Sequence, residues 1–349
     1  MRILITGNMG YVGPVVVAHL RSCFPKAELW GYDTGYFGAC LTGTASLPEI
    51  WLDQQIFGDV RDLDPALLEG VDGIVHLAAI SNDPISNAYE DVTYEINYRA
   101  SVRLAKLARD KGVRRFVFAS SCSMYGFADS GPRSEDAELN PLTPYATSKV
   151  MAEKELIELG SDRFTVTCLR FATACGMSPR LRLDLVLNDF VACAVAGDPI
   201  TVLSDGTPWR PLINVRDMAR AFEWALRRES VDSGYALSVN AGSNEWNYQV
   251  RDLATSVAES VDGGKVSINK DAMPDRRSYR VSFDRFRAIA PDHQPQVGLS
   301  DAIAEVRSGL LAMGFDDHQF RESSMMRIVH LTRLREAGLL DSDLRWSSS

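Results

Sequence analysis

The sequence predicts an α/β fold, a doubly wound parallel sheet followed by a smaller α+β lobe. In the first half, short apolar strand patterns alternate with helix patterns, which is typical of a parallel sheet with right-handed crossovers. A glycine-rich turn follows the first strand directly. From about residue 172 the alternation is interrupted by Gly, Pro and Arg. We therefore predict a first domain over 1–172 and a second over 173–349, with part of 209–240 returning to the first.

Hydrophobic patterning places the elements of the first domain in order. Strands are predicted at Arg2–Thr6, Glu28–Tyr32, Gln55–Phe57, Gly73–Leu77, Arg115–Ala119 and Phe164–Arg170. Helices are predicted at Gly13–Arg21, Glu90–Lys111 and Tyr145–Leu159. Such sheets bind ligands at the carboxyl ends of their strands, so that edge is where we expect a site. The charged tail after about Asp316 predicts short helices and indicates no function.

Composition limits the classes of partner. The chain has 349 residues, with 46 acidic against 37 basic side chains and a net charge of −9, so nucleic acid is not expected as a main partner. No apolar run approaches the roughly 18 residues that span a bilayer, so we expect no membrane partner and a cytoplasmic protein. The six cysteines form no CxxC and have no paired His, so neither a metal site nor a disulfide framework is predicted.

The turn after the first strand has the composition of a phosphate-binding loop. Glycines at Gly7, Gly10 and Gly13 stand between a strand and a helix, where backbone N–H groups can approach a pyrophosphate. The intervening Met9, Tyr11 and Val12 then lie beside the same ligand. The spacing is GxxGxxG rather than GxGxxG.

Two acidic positions follow later strands. Asp33 closes the second strand, where a carboxylate accepts hydrogen bonds from the adenine ribose hydroxyls of NAD. The same carboxylate would repel a 2′-phosphate, which favours NAD over NADP. Asp59 and Val60 follow the third strand, where an adenine could lie.

A Tyr–Lys pair opens the last helix of the first domain. Tyr145 and Lys149 are four residues apart, so they share one face of the helix. A neighbouring ammonium would favour the phenolate, and such a Tyr can accept a proton from a sugar hydroxyl. Ser121, at the carboxyl end of the fifth strand, is suitably placed to orient that oxygen.

These stretches together resemble the extended short-chain dehydrogenase/reductase family, the NAD-dependent nucleotide-sugar epimerases and dehydratases. The matching stretches are Thr6-Gly7-x-x-Gly10-x-x-Gly13, Gly58-Asp59-Val60, His76-Leu77-Ala78-Ala79, Asn97, Ser120-Ser121-x-x-x-Tyr125-Gly126, Pro144-Tyr145-x-x-x-Lys149 and Leu169-Arg170. The resemblance implies a Rossmann-type domain, catalysis by Ser121, Tyr145 and Lys149, and NAD as cofactor. It also implies a homodimer formed through the helices near 93–110 and 145–159.

By the same resemblance, further residues would hold the two ligands. The implied NAD set is Gly7, Met9, Gly10, Tyr11, Val12, Gly13, Asp33, Asp59, Val60, Leu77, Ala78, Ala79, Asn97, Tyr145 and Lys149. The implied set for a nucleotide-diphosphate sugar is Ser81, Ser123, Thr173, Asn188, Arg210 and Arg277, the last preceded by Arg276. Arg210 and Arg277 would grip the diphosphate through their planar guanidinium groups.

The two residues after Ser121 narrow the reaction. Dehydratases of the family carry Asp-Glu there, whereas this chain has Cys122 and Ser123, which cannot supply the acid. An NAD-dependent epimerase, acting at C4 through a keto sugar, is therefore the leading expectation. A nucleotide-sugar ketoreductase that uses NAD(P)H is the alternative, and a non-catalytic NAD-binding protein is the third interpretation.

Overall fold

The computed structural model describes residues 1–261, 264–269 and 277–347. The strands are β1 Arg2–Thr6, β2 Glu28–Asp33, β3 Gln54–Phe57, β4 Gly73–His76, β5 Arg115–Ser121, β6 Phe127–Arg133, β7 Thr165–Phe171, β8 Thr173–Cys175, β9 Ile200–Val202, β10 Trp209–Asn214, β11 Ala236–Ala241, β12 Asn247–Gln249, β13 Val266–Ile268 and β14 Ser278–Val281. The helices are α1 Gly13–Cys23, α2 Asp83–Ala88, α3 Glu90–Tyr94, α4 Ser101–Asp110, α5 Pro144–Glu158, α6 Val186–Val195, α7 Val215–Arg227, α8 Ser230–Ser233, α9 Val250–Glu259, α10 Asp284–Ile289, α11 Leu299–Ala312 and α12 Arg327–Glu336.

Seven strands form one parallel sheet in the order β11-β7-β5-β4-β1-β2-β3. The predicted α/β fold with a doubly wound parallel sheet is confirmed. The order reverses at β1, which pairs with β2 on one side and β4 on the other. The crevice at such a reversal point is where these sheets bind ligands.

Both faces of the sheet are buried, as the continuous apolar strands require. Ile5 and Val117 belong to the core on one face, while Leu4, Ile74 and Phe116 belong to the core on the other. The alternation arises because successive side chains of a strand point to opposite faces. On the first face, α1 packs against α7.

The strand bounds differ from the predicted ones by a few residues at most, and the main difference lies among the helices. The predicted helix over 90–111 is divided into α3, a π-helical turn at Glu95–Ala100 and α4. A π-turn widens the helix locally and shifts its side chains. An additional short helix, α2, precedes it.

Beyond β7 the chain forms smaller sheets and further helices. β10 pairs with β8 and β12, β9 pairs with β13, and β14 reaches back to pair with β6. β11 joins the large sheet beside β7. We accordingly propose domains over 1–172 and 173–349, with 236–241 added to the first. None of the helices in the described ranges has the length and apolar content that crossing a bilayer requires.

Candidate active site

A cavity of about 1000 Å³ opens at the carboxyl ends of the central strands. This volume is at the upper end of the range for small-molecule sites. Both parts of the chain line it. The predicted site residues on its wall are Gly7, Gly10, Tyr11, Val12, Gly13, Asp33, Asp59, Val60, Leu77, Ala78, Ala79, Ser81, Ser121, Ser123, Tyr145, Lys149, Thr173, Arg210 and Arg277. The structure therefore brings most of the predicted set to one place.

The glycine turn fits a dinucleotide pyrophosphate. Gly7 has φ +75°, and a Cβ there would lie 2.5 Å from the Ala78 nitrogen, so the turn needs glycine for its own geometry. A Cβ on Gly10 would meet only the Gly7 oxygen, at 3.3 Å, and would otherwise project into open space. Among the described residues no side chain caps the N-terminus of α1. Its first N–H groups thus remain available to an anion.

Asp33 lies where an adenine ribose is expected and is held firmly. One carboxylate oxygen accepts the Met9 N–H at 2.9 Å, and the other accepts the Gly35 N–H at 2.8 Å. Met9 is itself buried and contributes this N–H rather than a side chain on the wall. Burial raises the pKa of Asp33, and the two N–H donors partly offset this effect. Each oxygen keeps acceptor capacity for a ribose hydroxyl.

The Asp59 carboxylate is already hydrogen-bonded within its own turn, so it has less capacity to bind a ligand than its position in the sequence indicated. The carboxylate accepts hydrogen bonds from the Arg61 backbone N–H at 2.8 Å and from the Arg61 guanidinium at 2.6 Å. Tyr32 donates a hydrogen bond to the Asp59 carbonyl at 3.0 Å. The side chain therefore anchors the turn after β3, and Val60 beside it presents apolar surface to the cavity.

Asn97 acts through the loop after β4. It is fully buried in the π-turn, where its side-chain oxygen accepts the Ile80 N–H at 2.8 Å and its nitrogen donates to the Ile80 carbonyl at 2.9 Å. Its nitrogen also lies 3.1 Å from the Ser148 oxygen. Asn97 thus fixes the loop at Leu77–Ala79 against α5 instead of lining the cavity itself.

Ser121, Tyr145 and Lys149 converge at the end of β5. The Lys149 ammonium donates to the Ala119 carbonyl at 2.8 Å and lies 4.4 Å from the Phe118 ring centre and 5.9 Å from the Tyr145 ring centre. The residue that caps α5 is Thr143, which accepts the Ala146 N–H at 3.3 Å. The cap and the i, i+4 spacing set both side chains on the cavity side of the helix.

The protonation of this set is governed by burial. Burial raises the pKa of Tyr145, and a hydrogen bond with Ser121 counteracts part of that rise. Burial lowers the pKa of Lys149 to about 7. The sequence predicts that the Lys149 ammonium lowers the pKa of Tyr145. Among the protein's own groups desolvation is the larger effect, so the pKa of Tyr145 is raised instead.

His76, at the end of β4, is structural. It is fully buried, with Thr6 Oγ1 at 2.6 Å from Nδ1 and Ser101 Oγ at 2.8 Å from Nε2. Burial lowers its pKa to about 3, with Lys149 contributing. The His76 ring stays neutral, and both of its nitrogens are hydrogen-bonded. It therefore links β1, β4 and α4.

All of the predicted sugar-nucleotide residues line the cavity except Asn188. Arg210 donates to the Trp209 carbonyl at 2.9 Å and to the Arg277 carbonyl, and Arg277 pairs with Asp83 at 2.5 Å, all beside the cavity. Arg276 lies outside the described residues. Ser123 Oγ accepts from Ser121 Oγ at 2.9 Å.

Asn188 is not brought to the cavity. It is fully buried, its oxygen accepts the Gly176 N–H at 3.0 Å, and its nitrogen donates to the Arg182 carbonyl at 2.9 Å and to the Tyr11 hydroxyl at 3.1 Å. With its amide fully used, Asn188 ties three segments of the wall together. The sequence pattern could not distinguish this role from contact with a nucleotide.

Sequence reasoning missed a polar network on the opposite wall. Arg182 forms a bidentate pair with Asp184, at 2.8 and 3.1 Å, and also donates to Ser81 Oγ at 2.9 Å. Asn82 donates to Asp184 at 2.6 Å. Arg182 is close enough to Tyr145 to lower its pKa. The alternation of Arg and Asp with Leu over 180–185 was the available signal.

One group of potential metal ligands occurs in the described residues, away from this cavity. His19, Cys23 and Glu223 meet between α1 and α7. Glu223 accepts from His19 at 2.8 Å, from the Cys23 thiol at 3.2 Å and from Arg227 at 2.8 Å. The sequence did not predict this grouping, which joins residues 200 positions apart. Hydrogen bonds to a single carboxylate account for it.

Comparison with known proteins identifies the family. The NAD dependent epimerase/dehydratase family matches residues 3–242. The chain belongs to this family. The predicted family is therefore confirmed, as is the use of NAD, and the fit of the glycine turn agrees with both.

Relatives and solved structures of this family are similar over most of the chain. A Bacillus subtilis (strain 168) protein described as an uncharacterized UDP-glucose epimerase is 31% identical over 281 residues, 77% of this chain and 84% of that protein. The UDP-glucose 4-epimerase of Mycolicibacterium smegmatis (strain ATCC 700084 / mc(2)155) is 28% identical over 319 residues, 87% of this chain and 97% of the relative. MoeE5, solved with UDP-glucuronic acid and NAD, is 26% identical with a TM-score of 0.76, covering 89% of this chain and 99% of MoeE5.

Proposed function

We propose that this protein is an NAD-dependent epimerase that inverts C4 of a nucleotide-diphosphate sugar. The observation that carries the proposal is the convergence of Ser121, Tyr145 and Lys149 on the cavity wall that also contains the glycine turn. A phenol, a hydroxyl and an amine at one strand end are the groups that oxidation of a carbinol requires.

Each side chain has one task in this reaction. Tyr145 takes the proton from the C4 hydroxyl. It returns the proton after the keto sugar has rotated to present its other face. Ser121 shares a hydrogen bond with Tyr145 and orients the reacting oxygen. Lys149, whose Nζ lies 5.9 Å from the centre of the Tyr145 ring, has the task of stabilising the phenolate that forms when the proton is transferred. Bound NAD supplies the hydride acceptor and a positive charge next to this set.

Dehydration is not favoured by the residues after Ser121. Cys122 is fully buried, its thiol donates to the Arg170 carbonyl at 3.1 Å, and burial raises its pKa. Ser123 offers a hydroxyl rather than a carboxyl group. Neither side chain can act as the acid that expels water from C5–C6.

A uridine-diphosphate sugar is the substrate class that the comparisons support. The Bacillus and Mycolicibacterium relatives are named as UDP-glucose epimerases, and MoeE5 has been solved with UDP-glucuronic acid and with UDP-glucose. Arg210 and Arg277 at the rim of the cavity supply guanidinium groups for a diphosphate.

Product identification tests the proposal. The purified protein is incubated with UDP-glucose, UDP-galactose, UDP-glucuronic acid and their N-acetylhexosamine counterparts, and the products are followed by proton NMR. We expect inversion at C4 without net consumption of NAD. Turnover that requires one NADPH per product would assign a ketoreductase instead, and loss of water with formation of a 4-keto-6-deoxy sugar would assign a dehydratase.

We also propose a homodimer formed through the helices around 93–110 and 145–159. Tyr98 and Lys106 both contact Glu155, so the two helices form one surface, and Met151 is 38% exposed on it. Light scattering should give twice the mass of one chain, and Met151→Glu should lower that mass. A mass near one chain for the native protein would contradict the dimer.

A cytoplasmic location is a further part of the proposal. All six cysteines are free thiols, and five of them are buried. Reduced thiols are typical of a reducing compartment.

A further inference from the structure

Part of the last described segment of the chain lies against the cavity where the cofactor is expected. We call residues 327–346, which comprise α12 and the chain after it, the C-terminal strap. Met326, Arg327 and Leu331 line the same cavity as Asp33 and Val60. The strap lies beyond the residues 3–242 that the family match covers, so membership of the family assigns it no role.

The strap is bonded to the turn that follows Asp33. The Trp346 indole N–H donates to the Thr34 carbonyl at 2.6 Å, and the Tyr36 hydroxyl donates to the Leu344 carbonyl. His330 Nε2 lies 2.7 Å from the Tyr36 carbonyl. The rings of Tyr36 and Trp346 also meet, with their centres 5.8 Å apart. These contacts fasten the turn to the strap.

The strap is bonded equally to the turn that holds Asp59. Arg61 donates to the Asp343 carbonyl at 2.8 Å, and Arg345 pairs with Asp62. Leu344 is fully buried in the cluster that contains Val60, and its φ of 54° lies in the left-handed region. A Leu keeps that conformation only where its surroundings hold it. The strap therefore joins the two turns expected to flank the adenosine.

Arg327 places a buried cation on this wall. It is 2% exposed, its Nη2 donates to the Arg180 carbonyl at 2.8 Å, and its guanidinium lies 4.4 Å from the centre of the Phe37 ring. Its Nη1 has no hydrogen-bond partner among the described residues. A buried N–H of a cation that lacks an acceptor is costly and is usually satisfied by a ligand or water.

The surroundings of Arg327 do not neutralise it. Burial, with repulsion from Arg182, lowers its pKa to about 10, so the group is charged at neutral pH. The nearby carboxylate of Asp184 is engaged by Arg182 and Asn82. Burial raises the pKa of the Cys40 thiol, and this effect is larger than the lowering by the hydrogen bond that the thiol shares with Arg327. In the part of the chain that the structure describes, no carboxylate forms an ion pair with Arg327, so its Nη1 has a donor left for an anion from outside the chain.

We propose that the C-terminal strap forms the outer wall of the NAD site. In this arrangement Arg327 donates its free N–H to a phosphate oxygen of the dinucleotide. Trp346 and Leu344 lie behind the cavity lining and hold in place the two turns that flank the adenosine half. The inference rests on the NAD dependence of the family and is independent of which sugar reacts. An adenosine end whose two turns are held in place would retain the cofactor between turnovers, as an enzyme without net redox change requires.

Two substitutions and a matched control test the proposal. Trp346→Ala removes the indole that bonds the strap to Thr34. Arg327→Gln removes the cation but keeps an amide donor. Trp51→Ala is the control. Trp51 is 49% exposed against 44% for Trp346, and neither indole lines the cavity, but only Trp346 is bonded to the turn after Asp33. The protein is freed of NAD, and the thermal unfolding of each variant is compared before ligands are added, so that a misfolded variant is recognised.

The readout is binding and not activity. Dissociation constants for NAD, ADP-ribose and nicotinamide mononucleotide are measured by calorimetry, and NAD release is timed by displacement. We expect Arg327→Gln to weaken ADP-ribose about tenfold or more, as loss of a charged hydrogen bond does. Trp346→Ala should accelerate NAD release about fivefold or more. Affinity for nicotinamide mononucleotide should change by less than about twofold in the Trp346 variant.

The outcomes separate this proposal from the proposed function. Native affinity for ADP-ribose in both variants would overturn it, as would an equal loss for ADP-ribose and nicotinamide mononucleotide in Trp346→Ala, which indicates general loosening. If the Arg327 variant does not fold, Trp346→Ala alone decides. A native protein that holds NAD but epimerises no nucleotide sugar would refute the proposed reaction and leave this inference standing.

Discussion

The two walls of the cavity are built in different ways. The wall with Ser121, Tyr145 and Lys149 consists of one strand end and the first two turns of one helix, and local spacing sets Tyr145 and Lys149 on the same face of that helix. The opposite wall, with Arg182 and Asp184, is assembled by contacts between residues about 100 positions apart. Groups that are set by spacing within one element can thus be recognised from a motif, whereas groups that meet across distant segments of the wall depend on the tertiary fold.

The strongest loss of activity should come from the locally built wall. Tyr145→Phe removes the proton acceptor, so kcat should fall about 10³-fold while NAD content and unfolding temperature change little. Tyr94→Phe, on α3 and away from the cavity lining, is the matched control. A Tyr145→Phe protein that retains a tenth or more of the native kcat would refute the assigned role.

A second test on that wall uses the buried amine. Burial lowers the pKa of Lys149 to about 7 from 10.5. Between these pH values the unfolded chain binds more protons than the folded chain, so this residue makes stability rise with pH. Lys149→Met should therefore be more stable than the native protein by up to about 5 kcal/mol below pH 7, and this gain should shrink towards pH 10.

Urea unfolding of the NAD-free proteins at pH 6, 8 and 9.5 measures that difference. Lys106→Met removes an amine that is 50% exposed and should show no such trend. A stability difference for Lys149→Met that stays constant with pH would contradict the depressed pKa.

The opposite wall should respond through stability and substrate affinity. Asp184→Asn leaves Arg182 buried beside a neutral partner and should lower the free energy of unfolding by about 3 kcal/mol. Asp252→Asn, in an exposed pair at 3.7 Å, is the control and should change it little. Replacing both partners, Arg182→Met with Asp184→Leu, should recover stability but leave KM for the sugar nucleotide raised. A double variant with native KM would remove this pair from the substrate site.

The smallest expected effect comes from a variant that distinguishes a residue supporting the cavity wall from one contacting the substrate. Asn188→Ala should lower the free energy of unfolding by about 2 kcal/mol, because three buried groups lose their partner. KM should stay within about twofold of the native value. Thr173→Val, on the cavity wall, should instead shift KM with little change in stability. A raised KM in a stable Asn188→Ala protein would indicate that Asn188 contacts the nucleotide, as the sequence predicted.

Elements whose contacts are local could be predicted from the amino-acid order. Apolar strands, the glycine turn and the Tyr145–Lys149 spacing follow from periodicity and from backbone geometry, which short stretches of chain specify. The roles of Asn188, Arg182 and the C-terminal strap emerged only from the folded chain. The Trp346–Thr34 bond joins residues 312 positions apart. Nothing in a local pattern indicates whether such a polar side chain meets a buried partner, a ligand or water, since that depends on which distant segment the folded core places beside it.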